Sequence, residues 1–234
     1  MKPYSLAFSY FVLGISYVIM AVYLLWKNPR SRLNVTGSLL GVAIAGWALC
    51  SIGTVMSQEA PAAMLWAKLF LAFVVFVPFL NLLFIHRFLA SISKLHLNKK
   101  LLISSAFLSA LFLLSDATPY LITGVSLRPG NFYFKDPGPL YHLFELYFFF
   151  TIVYSSWGLL KGLQISSRGS REERQVLVLF LTLVISYIAG GMSYLLAHNK
   201  VHFSIVSIGN YLAIPYSLGI IVAIYCSPLR QRVS

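Results

Sequence analysis

Long apolar runs alternate with short polar punctuation along almost the whole chain. Seven of them approach the roughly 20 residues needed to cross the hydrocarbon of a bilayer: 4–26, 35–56, 62–86, 95–115, 140–161, 175–197 and 203–226. In lipid a backbone must satisfy its own hydrogen bonds, so each run predicts a helix. The fourth has the shortest apolar part, because Lys99 and Lys100 interrupt its start and Asp116 ends it. The sixth follows Ser170-Arg-Glu-Glu173, a capping box in which the Ser and Glu side chains satisfy the free amides of a first helical turn. That places a helix start just outside the membrane.

One stretch breaks the pattern. Residues 116–139 hold four prolines, three glycines and four charges, and they cannot sit in lipid. Within them Val125-Ser-Leu127 and Phe132-Tyr-Phe134 are strand-like, and the Pro-Gly pair of Arg128-Pro-Gly-Asn131 between them marks a turn. A connection of this length is usually functional or disordered, and its alternation predicts order. The expected fold is an all-α integral membrane protein, a single seven-transmembrane helix bundle over 1–234. A small β-hairpin lies as a lid between helices 4 and 5.

Composition agrees: 59% of residues are hydrophobic and 10% charged, against about 25% charged in soluble domains. Mean hydropathy is +0.79. The net charge of +12 would point to nucleic acid in a soluble protein, but its placement gives a different account. Thirteen Lys and Arg lie in the first, third and fifth connections and the tail, four lie on the opposite side, and Lys68 falls within a span. Basic residues concentrate on the cytoplasmic side. The amino terminus and the hairpin are therefore expected outside and the carboxyl terminus in the cytoplasm, with no nucleic-acid partner needed. The first run exceeds the apolar core of a signal peptide and lacks a small-residue cleavage site after it, so it is read as a true span. Cys50 and Cys226 fall near opposite faces and cannot bridge within one chain.

Familiar catalytic patterns are missing from the chain: there is no His-Glu-x-x-His, no Gly-x-Ser-x-Gly and no Gly-rich phosphate loop. His142 and Glu145 stand three apart on a helix, but two ligands make a poor metal site. Span seven contains no lysine for a Schiff base. No enzyme, metal or cofactor is expected.

The expected chemistry is recognition. Aromatic residues reach 15% and cluster around the hairpin and the start of span five. Many belong to an interfacial belt; Tyr141 and the hairpin aromatics are read as the roof of a largely apolar pocket. Trp47, Tyr194, Asn210 and Tyr211 are polar or amphipathic groups at middle to outer depth. Lys68 and Glu145 lie roughly 9 and 8 Å inside the membrane at 1.5 Å of rise per residue. Opposite signs at matching depth point to an ion pair at the pocket floor, against the alternative that Lys68 snorkels to the headgroups and Glu145 is protonated or hydrated. The candidate ligand-binding set is Trp47, Lys68, Tyr141, His142, Glu145, Tyr194, Asn210 and Tyr211.

Four features together resemble a known family. Trp47 sits midway in span two, and a polar loop ending in Gly138-Pro139 runs into an aromatic span five. Arg171-Glu-Glu-Arg-Gln175 leads into span six, and Ile208-Gly-Asn-Tyr-Leu-Ala-Ile-Pro215 opens a span seven that closes on Ala223-Ile-Tyr225. The whole chain is similar to the N-terminal seven-helix module of bacterial sensor histidine kinases. The resemblance implies a multi-pass protein of the bacterial cytoplasmic membrane that senses a small or lipid-like ligand or the state of the bilayer. It also implies output through the cytoplasmic end of span seven to a kinase or other output domain, and a homodimer. It supplies no catalytic residue, and the nine residues after Tyr225 are expected to hold no kinase, which a continuation or a partner would supply. The competing expectation is a small transporter or channel in which Pro78, Asn81 and Pro215 break helices around a polar path.

Overall fold

A computed structural model describes residues 3–128, 131–198 and 204–225, with side chains for all of these except 3, 189, 191–198 and 204–206. Among the described residues eight helices and one hairpin follow in the order α1 (Pro3–Lys27), α2 (Arg32–Met56), α3 (Ala60–Val74), α4 (Val77–Ile92), α5 (Lys99–Asp116), β1 (Ile122–Arg128), β2 (Phe132–Pro137), α6 (Tyr141–Ile165), α7 (Arg171–His198) and α8 (Ser204–Tyr225).

The third predicted span is two helices rather than one. Pro78 sits in the first turn of α4, where it fixes φ and donates no hydrogen bond. The chain breaks just before it and then runs on to Ile92, past the expected end at 86. Counting α3 and α4 as one broken rod leaves seven rods. Five stretches of described helix are long and apolar enough to cross a membrane: Tyr4–Lys27, Arg32–Met56, Ala60–Ile92, Tyr141–Ile165 and Ser207–Tyr225. Lys99, Lys100 and Asp116 shorten the apolar part of α5, and α7 opens on four charged residues.

The local start signals behave as their chemistry dictates. Ser31 caps α2 by accepting from the Asn34 amide, and Asn98 caps α5 by accepting from the Lys100 amide. Ser170 accepts from the Glu173 amide ahead of α7, half of the expected capping box. Glu173 turns back to the Gly169 amide.

The rods close into a ring in which α8 packs between α7 and α1, and α2, α4 and α6 complete the circuit. Helix α5 lies outside the ring against α3 and α4. Close approach of α2 to α3 depends on glycine: a Cβ at Gly46 would strike the Phe73 ring, and one at Gly53 the Trp66 indole. The core is a continuous apolar cluster that includes Tyr17, Met20, Leu40, Phe84 and Ile220. Large residues such as Phe8, Ile19, Phe107 and Leu146 face outward, as a lipid-facing surface requires.

The expected hairpin is present and longer than its sequence signature. Strands β1 and β2 pair antiparallel from Arg128↔Phe132 down to Ile122↔Pro137, with an irregularity between Ile122 and Gly124. Asn131 takes the left-handed conformation that the turn needs (φ 57°). Arg128 and Asp136 form an ion pair at 2.9 Å across the strands. Phe132 and Phe134 bury against Leu6, Tyr10 and Val55, which fastens the hairpin to α1 and α2.

Candidate functional site

The site lies where β2 meets the ends of α1 and α2. Alternation on β2 should expose every second residue, yet Phe132, Phe134 and Lys135 are all buried, Lys135 to 7% exposure. The strand is covered on both faces because α2 and α3 both pack against it. Lys135 Nζ is held 2.7 Å from the centroid of the Phe70 ring and 5.9 Å from that of Phe134. A buried ammonium is costly, and aromatic faces offset part of that cost, by about 0.5–2 kcal/mol. Burial pushes the Lys135 amine well below the ordinary lysine range, with the nearby Cys50 acting the other way.

Beside Lys135 is a cavity of about 10 Å³ lined by Tyr10, Ser51, Thr54, Val55, Phe134 and Lys135, room for about one water molecule. Ser51 donates to the Trp47 carbonyl at 2.9 Å and Thr54 to the Cys50 carbonyl at 3.0 Å. Tyr10 lies near Ser51 and Asn210, and Asn210 Nδ2 donates to Ser9 Oγ at 2.9 Å. Asn210 thus ties α8 to α1 one residue from Tyr10 of the cavity lining.

From Asn210 a series of side-chain bonds fastens α8 along its length. Tyr17 donates to the Ala213 carbonyl at 3.1 Å and Ser186 to the Leu212 carbonyl at 3.0 Å. These bonds fall in the turn before Pro215. Tyr216 donates to Asn81 Oδ1 at 2.5 Å, and Asn81 Nδ2 donates to Ser155 Oγ at 3.2 Å, joining α8 to α4 and α6. At the far end Gln175 Nε2 donates to the Ala223 carbonyl at 2.8 Å, and Asn34 Nδ2 donates to the Tyr225 hydroxyl at 2.9 Å.

Two of the sequence candidates adjoin this arrangement. Asn210 is buried and bonded to Ser9, the neighbour of Tyr10 in α1. Trp47 packs edge-on against Phe70 at 6.1 Å, and its Nε1 is buried with no hydrogen-bond partner among the described residues. The others lie apart from the cavity lining. Tyr141 is buried edge-on to Phe144 at 6.2 Å, and Tyr211 is 41% exposed. Tyr194 lies in α7, and its side chain falls outside the described residues.

The expected Lys68–Glu145 ion pair is not formed. Glu145 Oε2 meets His142 Nδ1 at 2.9 Å, while Lys68 is electrostatically coupled to Asp116. Residues three apart on one helix are neighbours by construction, whereas α3 is packed against α2, α5 and the hairpin.

Sequence reasoning did not single out Lys135, Tyr10, Ser51 or Thr54. No local signal marks Lys135, because alternation puts it on the face opposite Phe134 and the packing of β2 against α2 and α3 is what buries it. Asn81 had been noticed only as a helix breaker, and the structure uses it as the joint between α8 and α4.

Residues 9–230 match a family model described as the N-terminal 7TM region of histidine kinase. No curated protein matches the chain.

Proposed function

We propose that this chain, which belongs to the family of N-terminal 7TM regions of histidine kinases, is the sensory input module of a signal-transduction protein in the bacterial cytoplasmic membrane. Its amino terminus and hairpin face outward, and a small or lipid-like ligand binds in the outer half. The response passes down α8 to a kinase or other output domain beyond the carboxyl end, in a homodimer. Trp47, Tyr141, Tyr194, Asn210 and Tyr211 remain the ligand-facing candidates of that half, with Lys68, His142 and Glu145 at its polar edge.

The observation that carries the reading is the set of side-chain bonds along α8. They begin at Asn210 beside the hairpin cavity and end at Tyr225, the last described residue of the helix. A ligand shifts such an equilibrium only by its differential affinity for two arrangements. A change at Asn210 alters the seating of a helix whose other end leads toward the output. The bias of basic residues toward the end opposite the hairpin supports the orientation.

The test is a fusion of the chain, after Ser234, to a histidine-kinase catalytic region, reconstituted in nanodiscs. Replacing 125–134 by a Gly-Ser linker is expected to change autophosphorylation at least about threefold, a shift of under 1 kcal/mol in a two-state balance. A tag in the hairpin should be reached from outside intact cells and one after Ser234 should not. Unchanged phosphorylation, or a hairpin tag found in the cytoplasm, would overturn the reading.

A further inference from the structure

The cavity beside β2 has walls of one electronic character. The hydroxyl protons of Ser51 and Thr54 are committed to carbonyls of their own helix, so what these groups offer the cavity is lone pairs. Phe134 lines it, and Phe70 stands against the same lysine. Ring faces and oxygen lone pairs attract N–H donors and repel anions. The group that occupies this environment is an amine on a four-carbon stem, contributed by the hairpin itself.

We infer that the crevice between α1, α2 and β2 is a recognition site for a small primary amine, and that Lys135 is its built-in occupant. An external alkylamine of about the length of the lysine side chain competes with Lys135 for the Phe70 and Phe134 rings and reaches the cavity hydroxyls beside them. The inference deepens the sensory reading by naming the ligand class, and only its signalling arm rests on that reading. Size sets the class. The free space beyond Lys135 is about 10 Å³, so a ligand fits by replacing the lysine stem, not by joining it. A primary amine presents two or three N–H donors to the lone pairs of Ser51, Thr54 and Tyr10, whereas a quaternary ammonium presents none. Displacing Lys135 loosens a hairpin that Phe132 and Phe134 hold against Leu6, Tyr10 and Val55, and the bond from Asn210 to Ser9 ties α8 to that same end of α1.

The experiment uses the full chain in phosphatidylcholine nanodiscs, with n-butylamine hydrochloride as the probe and tetramethylammonium, sodium butyrate and inorganic phosphate as comparisons. Lys135→Ala opens the site and is expected to lower Tm. Butylammonium should raise that Tm again, with a gain about threefold larger than in the wild-type protein, where Lys135 competes by mass action. Lys135→Met refills the stem volume and should show no such gain. In the wild-type protein, hydrogen exchange over 122–137 should quicken with butylammonium and not with butyrate. This measurement stands even if the alanine variant fails to fold. Equal gains in variant and wild type, rescue by butyrate or phosphate, or unchanged hairpin exchange would each overturn the site. Butylammonium binding without a change in phosphorylation by the fused kinase leaves the amine site standing and removes the sensory reading.

Discussion

Helices α5 and α8 are apolar rods of similar length, 18 and 22 residues, yet they hold opposite places in the bundle. Helix α5 buries only Ser105, Ser109 and Phe112 among its described side chains. Two of these are hydroxyls. Ser109 donates to the Val75 carbonyl at 2.6 Å in the break between α3 and α4, and Ser105 meets the Tyr147 hydroxyl at 2.7 Å. Helix α8 is bonded through side chains to α1, α2, α4 and α7. Lipid tails are as apolar as leucine, so hydrophobicity does not rank the two helices. Close packing and hydrogen bonds do. The central helix of a membrane bundle is the one whose polar side chains and small residues find partners on several sides.

The largest expected break in this contrast is at the α7–α8 contact. A Cβ on Gly219 would collide with Thr182, so Gly219→Leu forces the helices apart. It should cost about 3 kcal/mol by overpacking, seen as a large fall in Tm in detergent or nanodiscs. If Tm holds, α8 is not tightly seated. Next is Asn81→Leu, which keeps the branching of the side chain but leaves the Tyr216 hydroxyl and Ser155 without their shared partner. Loss of two interhelical bonds should cost about 1–2 kcal/mol, and the fused kinase should respond less to the hairpin replacement. A variant with normal stability and coupling would show that the Tyr216–Asn81–Ser155 series is incidental. The smallest effect belongs to α5. Ser109→Ala should cost about 0.6 kcal/mol, with output unchanged. A cost equal to that of Asn81→Leu would erase the distinction between the peripheral and the central helix.

Much of the fold was legible because its rules are local. Asn98 and Ser170 mark helix starts through their own side chains, and Asn131 marks the hairpin turn, whose Pro129 and Gly130 lie outside the described residues. The break at Pro78 was legible too, since a missing amide is a property of one residue. Ordinary tolerance of proline in membrane helices argued for keeping the span whole, and the structure divided it.

The site was less legible, and Glu145 and Lys135 show why. Opposite charge and matching depth pair Glu145 with Lys68, and both are properties that sequence supplies. The structure decided by rotation and proximity, and His142, one turn away on the same helix, won. In sequence Lys135 is only one of four basic residues on the hairpin side, and a two-stranded hairpin ordinarily leaves one face to solvent. Only the docking of β2 against both α2 and α3 buried it.

The sequence by itself determined the mostly helical, membrane-spanning character, the placement of the hairpin, the basic bias of alternate connections and the histidine-kinase N-terminal family. Each depends on lengths and residue types that lipid and backbone geometry judge one segment at a time. The tertiary structure decided which side chains meet: Lys135 with Phe70, Asn81 with Tyr216, Asn34 with Tyr225, and Glu145 with His142 instead of Lys68. Helices that are apolar nearly all round do not announce which face is inward. Partner choice is then set by the rotation and close approach of neighbouring helices, which exist only once the bundle has assembled.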